Sequence, residues 1–146
     1  MDASRTTPVD ASPERLWQVV TDVAAWPGWT ASMTAVTLLD GGPLAAGSRV
    51  RIRQPGLRPA VWTVTQLDPG RSFTWESAAP GVRTVAGHHV TTAAGGTELT
   101  LTLAQTGPLA GLVGLLYGRK VEHFIGLELA GLRAAAEGGQ GSTRAT

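Results

Sequence analysis

AVWTVTQLDPGRSFTWES, residues 60–77, is the stretch that decides the fold. Two runs of alternating apolar and polar residues meet at Asp68-Pro69-Gly70. Alternation at period two marks half-buried strands, and a short Pro-Gly break joins such strands as antiparallel neighbours. Pairing Val64 with Phe73 also pairs Trp62 with Trp75. Trp62, Val64, Phe73 and Trp75 then share one face, and Thr63, Thr65, Thr74 and Glu76 the other. Only 5% of the chain is aromatic, yet it has five Trp against two Phe and one Tyr. Two of those Trp therefore face each other in a single hairpin.

Outward from this hairpin the period holds. Thr34–Leu39 and Ser48–Gln54 precede it, and Val82–Thr92 and Thr97–Thr106 follow, separated by GGPLAAG, PGLRP, APG and AAGG. Val50, Ile52 and Gln54 fall on the inner face with Arg49, Arg51 and Arg53 outside. In the last strand Leu99, Leu101, Leu103 and Gln105 point inward. Arg5–Val9 supplies a further strand weakened by Pro8, so the sheet edge there is expected to fray.

The flanks are helical. Ser12-Pro13-Glu14 places an N-cap, a first-turn proline and an acid at the positive end of a helix dipole. Thr21-Asp22 is set to cap a second short helix through Val23–Trp26, ended by Pro27-Gly28. From Leu109 to about Glu137 the spacing is helical again, about 29 residues or roughly 43 Å at ~1.5 Å each. Residues 138–146 are Gly-rich and polar and are expected to form a disordered tail.

At 146 residues the chain is of single-domain size, the domain spanning residues 1–137. Twelve Lys and Arg balance eleven Asp and Glu, a net charge of +1 that steers toward neither nucleic acid nor an anionic membrane. The absence of cysteine removes disulfides, thiolate metal sites and a Cys nucleophile together. No apolar run approaches the ~20 residues of a membrane span, and MDASRTTPVD has no signal-peptide pattern. The expectation is a cytoplasmic protein, monomer or homodimer, without nucleic-acid partner or membrane span. GGPLAAG lacks the lysine of a phosphate loop, and no G-x-S-x-G elbow occurs. His88 and His89 project to opposite faces of a strand and His123 stands on the distant helix, so no metal site and no cofactor is expected.

A strand, two short helices, six strands and a long helix, in that order, resemble the helix-grip fold of the START-like (SRPBCC) superfamily. ASPERLWQVVTDVAAWPGW (11–29) is similar to that family's opening helix pair. GSRVRIRQPG, the 60–77 hairpin and Gly131–Glu137 resemble its polyketide cyclase/dehydrase branch. The resemblance implies an α+β fold in which a curved antiparallel sheet of six or seven strands wraps a long helix around an elongated cavity. It implies a small hydrophobic partner, apolar and ring-containing or polyketide-like. Two functions follow: ligand binding without chemistry, or a cyclase/dehydrase that promotes aldol closure or water loss in the same cavity.

The candidate residues follow from the inner face. Trp62, Phe73 and Trp75 are expected as rigid walls. Gln54, Gln105 and His88 stand out because burying a polar group without a partner costs ~1–3 kcal/mol. Alternation with Ala86 and Val90 turns His88 inward and His89 outward, unless a bulge at Gly87 reverses them. On the long helix Val113, Tyr117, Val121, Phe124 or Ile125, Glu128 and Leu132 form one stripe. Val113 and Phe124 are expected to line the cavity, Tyr117 to join His88 as the catalytic pair of the enzyme reading, and Glu128 to lie at the rim. No carboxylate–His pair is evident in the sequence, which weighs against catalysis.

Overall fold

A computed structural model of the chain describes residues 2–145, with side chains as far as Gly138. The elements are β1 (Asp2–Val9), α1 (Pro13–Thr21), a 3-10 turn (Val23–Gly28), β2 (Ala35–Leu38), β3 (Arg49–Arg53), β4 (Ala60–Asp68), β5 (Ser72–Ala79), β6 (Val82–Ala93), β7 (Gly96–Thr106) and α2 (Ala110–Ala145). The strands form one seven-stranded sheet in the order β1-β7-β6-β5-β4-β3-β2, antiparallel throughout. This is the α+β helix-grip architecture expected from the element order.

Local chemistry accounts for the helix starts. Ser12 Oγ accepts from the Arg15 N–H at 3.1 Å, with Pro13 in the first turn. Asp22 does not cap the next turn with its side chain. Its own N–H instead closes α1 onto the Gln18 and Val19 carbonyls, and Pro27 within the segment keeps it a short 3-10 turn.

Two strand expectations need correction. β1 does not fray: all its residues are paired, from Asp2 opposite Ala104 to Val9 opposite Thr97. An edge strand has a neighbour on one side only, where a single proline does little to the ladder. In the central hairpin Val64 lies opposite Trp75 and Leu67 opposite Phe73, and Thr65 is left out of the pairing in a bulge. The turn holds Pro69, Gly70 and Arg71, closed by the Arg71 N–H on the Asp68 carbonyl with Gly70 at φ +78°. A pairing centred on Asp68-Pro69 is out by three residues at the turn, whose true centre is Gly70 between Asp68 and Ser72, and the Thr65 bulge takes back one of the three. Trp75 therefore pairs with Val64 rather than with Trp62. The displacement is two residues, so the faces survive, and Trp62 meets Trp75 on the diagonal with ring centroids 5.9 Å apart.

The core lies between one half of the sheet's inner face and the helices. Leu16, Val19, Val20, Val23 and Trp26, all fully buried, pack with Phe73, Trp75, Val90 and Leu99 of the sheet and Leu132 and Ala136 of α2. The approach of α2 to the 3-10 corner is close. A Cβ on Gly131 would collide with the Trp29 carbonyl oxygen, which requires glycine there. Polar ties fasten the same end: Glu137 accepts the Asp10 N–H at 2.7 Å, and an Arg15 guanidinium N–H donates to the Ala135 carbonyl at 3.4 Å. α2 runs beyond the Glu137 limit read from the sequence. The tail expected at 138–146 falls, apart from Gly138, outside the residues whose side chains are described.

Candidate functional site

Between the other half of the inner face and α2 lies a cavity of about 280 Å³. Strand alternation supplies its floor. Ile52 and Gln54 come from the β3 side, Trp62 from β4, Trp75 from β5, His88 from β6, and Leu103 and Gln105 from β7. α2 closes it from above with Val113, Val121, Phe124, Ile125 and Glu128. Of the residues singled out in the sequence, Gln54, Trp62, Trp75, His88, Gln105, Val113 and Phe124 are brought together here.

Phe73 and Tyr117 are not. Phe73 is fully buried behind the wall, its ring stacked on that of His88 at 4.1 Å and 6°. It shapes the site by holding the imidazole plane. Tyr117 is 43% exposed and outside the lining. The start of α2 lies over loops: Leu109, just before the helix, rests on Gly81 in the β5–β6 turn, and Lys120 within it on Gly56 in the β3–β4 loop. Tyr117 stands between Val113 and Val121, which do line the cavity, but its own side chain is half-exposed.

His88 is the chemical centre. It is 2% exposed, with Trp75 edge-on at 5.1 Å and Trp26 at 5.5 Å. Nδ1 stands 3.3 Å from the Phe73 carbonyl oxygen, which can only accept, so Nδ1 carries a proton. Nε2 is then left facing Glu128 Oε1, also at 3.3 Å. A hydrogen bond between them needs one proton, held by either the imidazole or the carboxyl. The Glu128 side chain is 12% exposed. Glu128 is thus no rim residue: the carboxylate–His pair that sequence reading missed is formed by β6 and α2 across the cavity. Its signal was the helical spacing that sets Glu128 among Val121, Phe124, Ile125 and Leu132; nothing in that spacing names His88 as the partner.

β6 contains no bulge, its pairing with β7 running unbroken from Arg83–Thr106 to Ala93–Gly96. His89 accordingly takes the outer face, but it is not fully exposed there. Its ring lies against Gly87, where a Cβ would stand 2.7 Å from Nε2 and against Thr102. Burial, and then the proximity of His88, pushes the His89 pKa below the usual 6.5.

Two more polar groups belong to the lining. Gln105 donates from Nε2 to Thr84 Oγ1 at 3.4 Å, and its Oε1 is buried without a partner. Arg58, from a loop that read only as a strand break, adds a cation to the lining. Among the described residues no three His, Asp or Glu side chains gather as a metal site would require. Nor is any helix among them long and apolar enough to cross a membrane.

Residues 1–137 match the family described as polyketide cyclase / dehydrase and lipid transport. No curated protein sequence matches the chain. Among solved structures, the Zhui aromatase/cyclase of a Streptomyces superposes with a TM-score of 0.76 at 22% identity, over 94% of this chain and 93% of that one. The di-domain aromatase/cyclase StfQ of the steffimycin biosynthetic pathway gives a TM-score of 0.78 at 12% identity; the match covers 96% of this chain but 51% of StfQ. A START superfamily protein from Mycobacterium smegmatis gives 0.68 at 20% identity, over 90% of this chain and 96% of its own. At these identities the likeness establishes the fold.

Proposed function

From the premise that the chain belongs to the polyketide cyclase/dehydrase and lipid transport family, we propose that it binds a compact, ring-containing small molecule in the cavity between sheet and α2. The observation that supports this most is the composition of the wall. Two indoles, Trp62 and Trp75, stand 5.9 Å apart beside Ile52, Leu103 and Phe124, with a few polar groups among them, the His88–Glu128 pair and Gln105 included. Ligand sites are commonly built this way, mostly apolar with a few fixed polar groups that set orientation. At about 280 Å³ the space suits a small fused-ring system better than an extended acyl chain.

Mass spectrometry of the protein under native conditions tests the reading by identifying what co-purifies. Titration with aromatic ligands should quench Trp fluorescence, and Trp62→Phe and Trp75→Phe should each reduce that quenching. Unchanged quenching in both variants would remove the indoles from the wall.

A second reading, cyclase/dehydrase chemistry, is favoured by the buried His88–Glu128 pair. The pair shares one proton between His88 Nε2 and Glu128 Oε1. With that proton on the imidazole, the Glu128 carboxylate is equipped to take a proton from carbon between two carbonyls, and the pair can return one to a departing hydroxyl. The apolar walls would fold the chain so that the two reacting carbons meet. His88→Ala and Glu128→Gln should then abolish turnover of a poly-β-ketone mimic, with His89→Ala retaining it. Ligand binding without turnover by the parent protein leaves the first reading alone.

A further inference from the structure

One residue of the cavity lining holds a buried acceptor with nothing to accept. Gln105 spends its Nε2 on Thr84, its cross-strand neighbour, and this fixes the amide so that Oε1 is left in the wall, shielded from water and unpartnered. A buried carbonyl oxygen without a donor is a standing penalty in the empty protein. A ligand that brings an O–H or N–H to that oxygen relieves the penalty; one that brings only carbon or an ether oxygen does not.

The register of β6 on β7 places this oxygen relative to the chemical centre. Thr84 faces Gln105, and four residues further along β6 His88 faces Leu101. Four steps at ~3.3 Å put the two stations roughly 13 Å apart along the strand, with the apolar wall between them. The two ends differ in kind: Gln105 Oε1 has no donor, whereas the His88–Glu128 pair already holds its own proton.

Resting on the reading that this cavity binds a ring-containing molecule, we propose that Gln105 is its specificity residue and selects ligands carrying a hydroxyl or N–H donor at the end away from His88. The preferred class is a hydroxylated ring system, a phenol or enol, over the ketone-only, ether or hydrocarbon analogue of the same size. Thr84 is a positioning residue that holds the amide in the accepting orientation.

The test uses the full chain with naphthalene, 2-methoxynaphthalene and 2-naphthol, Kd values being read by ligand-observed NMR. The parent should bind 2-naphthol at least tenfold tighter than either of the others, because only the naphthol donates. Gln105→Met, which keeps the length and removes the acceptor, should cut that preference to less than threefold. Thr84→Val frees the amide to turn its NH₂ inward, so the naphthol preference should fall and 2-methoxynaphthalene should gain. A parent that binds all three alike, or prefers the ether, overturns the assignment of Gln105 and leaves the cavity reading standing. So does a naphthol preference that survives Gln105→Met. A parent that binds none of the three overturns both. Should Gln105→Met fail to fold, the ranking by the parent and by Thr84→Val still decides.

Discussion

The two halves of α2 have similar compositions and opposite fates. From Phe124 onward the helix is a core element: Ile125 is 7% exposed, Leu129 9%, and Leu132 and Ala136 are fully buried. Before that point Leu112, Leu115 and Leu116 are 53%, 82% and 64% exposed. Leucine therefore says little here about where the core is; the distance between helix and sheet says more. The far half is seated on the sheet by Gly131 against Trp29 and tied by Glu137 to Asp10. The near half stands over strand-end loops and spans the cavity. The far half holds the fold together, and the roof of the cavity runs across the junction, from Val113 and Val121 to Phe124, Ile125 and Glu128.

The contrast can be broken most severely by removing the whole helix. A chain ending before Gly107 loses Leu129, Leu132 and Ala136 from the core and should show neither cooperative thermal unfolding nor a native β-sheet signal by circular dichroism. A truncated chain that unfolds cooperatively would mean that α2 only decorates the sheet. Next in size, Leu132→Ala should destabilise by ~2–5 kcal/mol in urea unfolding, the range for a fully buried leucine that leaves a cavity.

Glu137→Gln sharpens the comparison through pH. The Asp10 N–H, and then Arg133, hold the Glu137 carboxyl below the usual 4.5 despite some burial. A carboxylate whose folded pKa is lowered stabilises the fold above its unfolded pKa, and that stability is lost as pH falls through the folded value. The deficit of Glu137→Gln against the parent should thus be full at neutral pH and vanish on acidification below the ordinary glutamate range. With this end of the helix partly open to solvent, its size should stay under ~1 kcal/mol. The smallest effect belongs to Leu115→Ala, expected within ~0.5 kcal/mol of the parent because the side chain is already in water. A loss as large as that of Leu132→Ala would show that the near half is packed after all.

Alternation made the sheet legible. The faces of β3 and β7, the inward turn of His88 and the shared face of Trp62 and Trp75 all follow from a period of two, and they hold even where the partner residues were misassigned. The Thr65 bulge was not legible, since one extra residue between Val64 and Gln66 leaves no mark on composition. On the helix, periodicity put Tyr117 and Glu128 on one stripe but not at one depth. Depth depends on where α2 leaves the strand faces for the loops, a matter of chain path rather than of pattern. The same limit hid the pairing of Glu128 with His88, whose positions are far apart in sequence and meet only when α2 closes over β6. Arg58 was hidden because a Pro- and Gly-flanked loop reads the same whether or not it edges a cavity.

The place of β1 bears on how the molecule is assembled in time. Strands β2 to β7 each lie beside their neighbour in sequence, so that part of the sheet can grow by short steps as the chain lengthens. Asp2–Val9 has no such neighbour; among the described residues it pairs with Gly96–Thr106, the last strand of the seven. Closing so long a loop is entropically slow, and sheets with distant pairings fold on the order of milliseconds to seconds. During synthesis the first strand made must wait, unpaired, until about a hundred residues have followed it. Only then can it dock on β7, and only after α2 has emerged can Glu137 reach back to fasten Asp10, the residue just beyond β1. The first strand of this sheet to appear is among the last to find its place.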